Sequence, residues 1–346
     1  MTRRSNAFMK QLFYVTSSVL FSSLIFSSCQ KVSSSTSGVI GDWARSSEFE
    51  GVVRTEAVGF TINNVEYIGG GYNGNNRMND FWKFDEASGT WFRVADFPGT
   101  ARNSAVGFSI NGKGYIGTGY DGTNMLKDFW EYDPVADKWT EKADFAGTAR
   151  YGAVGFSING EGYVATGFDS TYRKDLWQYD PGTDTWTQKA SLGGDKRSDA
   201  VAFTYDNLGY VVTGVNNGSY LNDMWAYNPS TETWSERRKI INTADSSYDD
   251  AYGNNILRSN AAVFLINDTA YISGGNYNGI IGSTWAFDIK QDLWFQKTAF
   301  EGSARQGAIG FTVNNHGYIV TGDNGSNYFD DLWQFFPDAA VNADDN

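Results

Sequence analysis

Apolar and polar residues alternate with a period of two along most of this chain, in runs of about five residues broken by Gly, Asn and Asp. One run is Ala105-Val106-Gly107-Phe108-Ser109-Ile110; Asn111-Gly112 follows, then Tyr115-Ile116-Gly117-Thr118-Gly119. Such alternation predicts strands with one buried face. Asn-Gly between two of them is a hairpin signal. A polar loop leads to a third run at Asp128-Phe129-Trp130-Glu131-Tyr132, and Trp139 opens a fourth. Helical period is absent throughout.

This four-strand unit recurs. An arginine ahead of a small-residue and apolar run stands at Arg54, Arg102, Arg150, Arg197, Arg258 and Arg305, at intervals of 48, 48, 47, 61 and 47 residues. Five tryptophan pairs keep a spacing of nine: Trp82/Trp91, Trp130/Trp139, Trp177/Trp186, Trp225/Trp234 and Trp285/Trp294. Trp333 opens a sixth pair with no partner after it. Trp43 fills that place, eleven residues before Arg54, as Trp91 is eleven before Arg102. A repeat of this period marks an array of identical units, and four antiparallel strands are the content of a propeller blade. The fold expected is all-β: a six-bladed β-propeller of four-stranded antiparallel blades over 42–337, its ring closed by the N-terminal strand Trp43–Glu48. An open ring would leave two unpaired edges and a split apolar interface.

The pattern Arg54…Tyr67-Ile68-Gly69-Gly70-Gly71…Asn79-Asp80-Phe81-Trp82-Lys83-Phe84-Asp85…Trp91 resembles the kelch repeat, over nearly all of 42–337. The double glycine stands as Gly70-Gly71 and Gly274-Gly275. Thr118, Thr166, Thr213 and Thr321 replace its first glycine elsewhere. Threonine is a good strand residue, so the fold is expected to accept it. The resemblance implies that a partner or ligand meets the loop face.

Composition narrows the function. Gly is abundant (39 of 346 residues), Pro scarce (5) and the formal charge −13. A surface that acidic repels nucleic acid and anionic membranes. Residues 1–28 carry Arg3, Arg4 and Lys10, then an apolar stretch with interspersed serines, as in a signal peptide. The stretch is short and Ser-rich for a transmembrane helix. Ile25-Phe26-Ser27-Ser28-Cys29 resembles a bacterial lipobox, with Phe26 departing from the usual Leu. Cys29, the sole cysteine, is then the lipidated residue, 29–41 a flexible tether and 338–346 a tail. The protein is expected at a bacterial cell envelope as a monomer, touching the membrane through its lipid only.

Loops before the first and after the second strand of each blade share one face. The six arginines stand there and are ligand-binding candidates, since a guanidinium grips a carboxylate bidentately. Asp80, Asp128, Asp175, Asp223 and Asp331 recur two residues before the blade tryptophan and offer an alternative, structural pairing. Tyr72, Tyr120 and Phe168 follow the glycine turn on the same rim and can stack on sugar rings, or simply pack. Blades four to six break that series with Val215, Asn276 and Asp323. Between Trp234 and Arg258 lies a 13-residue insert, around Ile240–Leu257, with Tyr248 and Tyr252 as further candidates. Blade five replaces the recurrent aspartate by Ser283 and sets Ile280 and Ile281 in its loop.

Catalytic chemistry is thin. His316 is the single histidine and falls in a turn. No metal or cofactor is expected: zinc spacing is absent, and the galactose oxidase copper site needs histidines and a Tyr–Cys link missing here. The leading reading is an envelope-anchored recognition module for a glycan or protein. Alternatives are a sugar-modifying enzyme resembling the kelch-type sialic acid mutarotases, and an architectural envelope protein. Cys29→Ser is expected to move the protein into the soluble fraction on membrane fractionation; unchanged retention would refute lipid anchoring.

Overall fold

The computed structural model describes residues 39–238, 256–342, 344 and 345. The expected leader, Cys29, most of the tether and the insert candidates Tyr248 and Tyr252 lie outside the described residues. Six four-stranded antiparallel sheets follow one another in chain order. Blade 1 is built from β2 (Val58–Ile62), β3 (Val65–Gly69), β4 (Phe81–Asp85) and β5 (Thr90–Val94). Along β2, Val58, Phe60 and Ile62 are buried while Gly59 and Thr61 are half-buried, the alternation read from the sequence. Asn63 and Asn64, at φ 49° and 62°, turn the chain into β3, the left-handed pair a type I′ hairpin needs.

Ring closure is as expected, with one residue more. β1 (Asp42–Glu48) pairs antiparallel with Asp331–Phe336, Trp43 opposite Phe335. Trp43 is fully buried and meets Phe300 and Phe264 edge-on, at centroid distances of 5.0 and 5.8 Å. The last blade is thereby built from both ends of the chain. A short extra hairpin, Val215–Asn216 with Ser219–Tyr220, was not foreseen.

Thr118, Thr166, Thr213 and Thr321 correct the sequence reading. They do not serve as strand residues: their φ values are 60°, 65°, 59° and 64°, beside 62° and 67° for Gly70 and Gly274. A β-branched residue in that region is strained, and all four buried hydroxyls lack a hydrogen-bond partner. What holds the position is its carbonyl, which accepts from the blade arginine, as Thr118 does from Arg102 at 3.0 Å.

At four of the seams an aromatic ring of one blade lies against a glycine of the next. A Cβ at Gly114 would lie 2.1 Å from Phe60, and Gly162 and Gly317 sit equally close under Phe108 and Phe264. Blade 1 places Glu66 at this position. It is 2% exposed and accepts a 2.5 Å hydrogen bond from the Thr61 hydroxyl. Burial pushes its carboxyl up from 4.5 to about 8, the Thr61 bond opposing. The unfolded chain therefore releases this proton near pH 4.5 while the folded one keeps it to about pH 8. Stability from this group is complete below pH 4.5 and is lost as pH rises through that window. Glu66→Gln is expected to gain in melting temperature relative to the parent between pH 5 and 8; parallel curves would show that Glu66 is not neutral in the fold.

Candidate functional site

Each blade arginine is buried, 0–1% exposed, and spent on its own blade. Arg102 donates from Nε to Thr100 O (2.9 Å) and from both terminal nitrogens to Asp128 (2.6 Å each). Trp130 Nε1 donates to Asp128 Oδ2 at 2.9 Å, and the Phe97 ring lies 4.8 Å below the guanidinium. Burial alone would raise the Asp128 carboxyl, but these contacts outweigh it and hold it below the usual range. Arg54, Arg150, Arg197 and Arg305 repeat the arrangement with Asp80, Asp175, Asp223 and Asp331. Arg258 donates instead to Ser283 O and Oγ at 2.8 and 2.9 Å. The ligand-binding reading of Arg54, Arg102, Arg150, Arg197, Arg258 and Arg305 is thus corrected: they offer a ligand no surface, and the pairing alternative is the one observed.

The arginines do position a site. Two residues after each comes Glu56, Ser104, Gly152, Asp199, Asn260 or Gly307, all at φ between 51° and 63°. Their backbones close a circle. Ser104 N donates to Glu56 O (3.0 Å), Gly152 N to Ser104 O (3.1 Å) and Asp199 N to Gly152 O (2.8 Å). Asn260 N donates to Asp199 O (3.0 Å), Gly307 N to Asn260 O (2.9 Å) and Glu56 N to Gly307 O (2.8 Å). Beneath lie six alanines, Ala57, Ala105, Ala153, Ala200, Ala261 and Ala308. This is the mouth of the central channel.

Around that circle the side chains run acid, polar, glycine, and then acid, polar, glycine again. Glu56 and Asp199 come from blades 1 and 4, which stand opposite in a ring of six. Glycine makes room for each: a Cβ at Gly152 would lie 2.4 Å from Asp199 Oδ1, and one at Gly307 3.1 Å from Glu56 Cγ. Ser198 Oγ donates to Asp199 at 2.7 Å. Burial pushes the Asp199 carboxyl up to about 6; the Ser198 bond opposes this and the Glu56 charge adds to it.

A cleft of about 440 Å³ opens above this mouth, lined by Glu56, Tyr72, Arg77, Asn103, Tyr120, Tyr151 and Asp199, among others. Each blade lays a three-residue ribbon over its end: Thr55–Tyr72–Arg77 in blade 1, Asn103–Tyr120–Met125 in blade 2 and Tyr151–Phe168–Tyr172 in blade 3. Arg77 is held between the Tyr72 and Tyr120 rings, 4.9 Å from each centroid. Its Nε donates to Asn103 Oδ1, and Asn103 Nδ2 donates to Glu56 Oε2, both at 2.5 Å. Among the described residues no carboxylate forms an ion pair with Arg77, so its terminal nitrogens can take an anionic group.

Of the expected candidates, Tyr72 and Tyr120 line the cleft. Phe168 sits one ring behind, 5.6 Å from Tyr151. Sequence reasoning missed Arg77, Asn103, Tyr151, Glu56 and Asp199. The signal was present in register: positions one and two after the arginine vary around the ring while the arginine does not. Removing a buried guanidinium leaves its aspartate uncompensated, so Arg102→Ala is expected to cost about 3–5 kcal/mol in denaturant unfolding. A loss within 0.5 kcal/mol would show that the clamp is dispensable.

Comparison with known proteins agrees with the repeat. A family profile described as the KLHDC2/KLHL20/DRC7 Kelch-repeats domain matches residues 44–198, and a Kelch motif matches 196–238. The solved structure of YjhT superposes with a TM-score of 0.68 at 17% identity, covering 82% of this chain and 95% of that one. At that identity the likeness is one of fold. No curated protein matches the chain.

Proposed function

From the premise that this chain is a kelch-repeat six-bladed β-propeller, we propose that it is a recognition module whose channel-mouth cleft binds a saccharide. Fold does not dictate this; one feature of the cleft carries it. Tyr72, Tyr120 and Tyr151 line a concave wall, suited to the apolar C–H faces of a sugar ring. Between them lie fixed donors and acceptors: the Arg77 fork, the Asn103 amide, and the Glu56 and Asp199 carboxyls for ring hydroxyls. A lipid on Cys29 would hold this cleft at the bacterial envelope.

A second reading rests on the opposed acids. With its carboxyl pushed up to about 6, Asp199 can exchange a proton near neutrality, the acid–base step that sugar-ring opening needs. Saturable acceleration of anomer exchange in NMR, lost in Asp199→Asn, would favour the enzyme over the binding module.

For the leading reading, a glycan array followed by calorimetric titration is the test. Tyr120→Ala and Arg77→Ala are each expected to weaken the best saccharide at least ten-fold, with the melting temperature nearly unchanged. Binding that survives both variants, or no saccharide bound at millimolar concentration, removes the proposal.

A further inference from the structure

We infer that the seam between blades 1 and 2, on the face opposite the channel-mouth cleft, docks a protein segment presenting a lysine or arginine beside an apolar side chain. Successive seams are latched alike. The residue three after the second tryptophan of one blade is a cation, and the residue two before that tryptophan in the next blade is a carboxylate. Lys142 meets Asp184 at 3.9 Å, Lys189 meets Glu232 at 2.6 Å and Arg237 meets Asp292 at 3.6 Å. Between blades 5 and 6 the carboxylate position is Gly41, and Lys297 donates to Pro337 O at 2.9 Å. Between blades 6 and 1 both halves are gone, replaced by Ser46 and Gly89.

Only the seam between blades 1 and 2 keeps the carboxylate without the cation. Asp137 is there, but Val94 stands where the lysine would be. Asp137 Oδ1 accepts from Tyr132 OH (2.7 Å) and Ala95 N (2.8 Å). Among the described residues no cation forms an ion pair with it. Lys83 is nearby but occupies the register position of Glu131 in blade 2, and comes no closer than the ion-pair limit. Asp137 is exposed at the surface and lines a groove of about 1190 Å³ that takes in Val94, Tyr67, Lys83, Phe92 and Tyr132 and reaches across blade 1 to His316 and Gln334 of blade 6.

The occupant follows from the neighbours. In the next three seams a lysine or arginine side chain reaches the equivalent carboxylate, so the position at Asp137 calls for a cation. Phe92 flanks it, 46% exposed, where Thr140, Thr187 and Ser235 stand in blades 2, 3 and 4. A free amine would leave that ring in water; a segment with an apolar residue beside its cation covers both. The net charge of −13 favours the approach of a basic segment.

The test is amide NMR of the full chain titrated with Ac-Leu-Lys-Leu-amide and with its norleucine counterpart. The lysine peptide is expected to shift the Ala95 and Asp137 signals, with the norleucine peptide at least ten-fold weaker. Val94→Lys is expected to fill the latch from within, raising the melting temperature and abolishing those shifts, and Asp137→Asn to weaken binding at least five-fold. Equal affinity for both peptides, shifts that map elsewhere, stronger binding of a glutamate peptide at Lys83, or undiminished binding to Val94→Lys would each overturn the inference.

Discussion

A buried charge has to be paired, and in this protein that requirement is met six times over. Every blade sinks a guanidinium into the end of its sheet, and five answer it with an aspartate that also takes the blade tryptophan's N–H. The same arginine reaches the carbonyl after the second strand. One residue thus ties the entry loop, the glycine turn and the third strand together. Such pairs are seldom large net stabilisers; they define geometry. Here they fix where the next two residues emerge, and so place the circle of amides around the channel.

That division of labour explains what was legible in the sequence. Strand count, blade count and closure by Trp43 could be read because tryptophan spacing is a property of the scaffold and repeats with it. The arginines were conspicuous for the same reason, which is why they were poor candidates for a binding site. Residues at 56, 77, 103 and 199 left no repeat to notice, since their identities change from blade to blade. Only the register supplied by the arginine shows that 56 and 199 are equivalent positions on opposite blades. Thr118 was misjudged for a different reason. Strand propensity describes extended backbone, and nothing in the local sequence announced that a carbonyl contact would hold the residue at positive φ.

Departures from symmetry therefore carry most of the information about function. Blade 1 collects several: Arg77 at the cleft, Glu66 where other blades carry Gly or Ala, and Val94 in place of a latch cation. It is also the blade beside the closing sheet, whose strands come from both ends of the chain. Substitutions there touch the two seams of one blade while the other four keep the ring together.

The amide circle has an electrostatic consequence of its own. Six residues are joined N–H to C=O around a closed loop, so the backbone donors and acceptors of the circle are spent on one another. Unlike the first turn of a helix, the circle leaves none of its six N–H groups free to receive an anion. Charge at this entrance is therefore set chiefly by side chains, and neutralising positions 56 and 199 would remove its two acids while every backbone bond of the circle stayed in place.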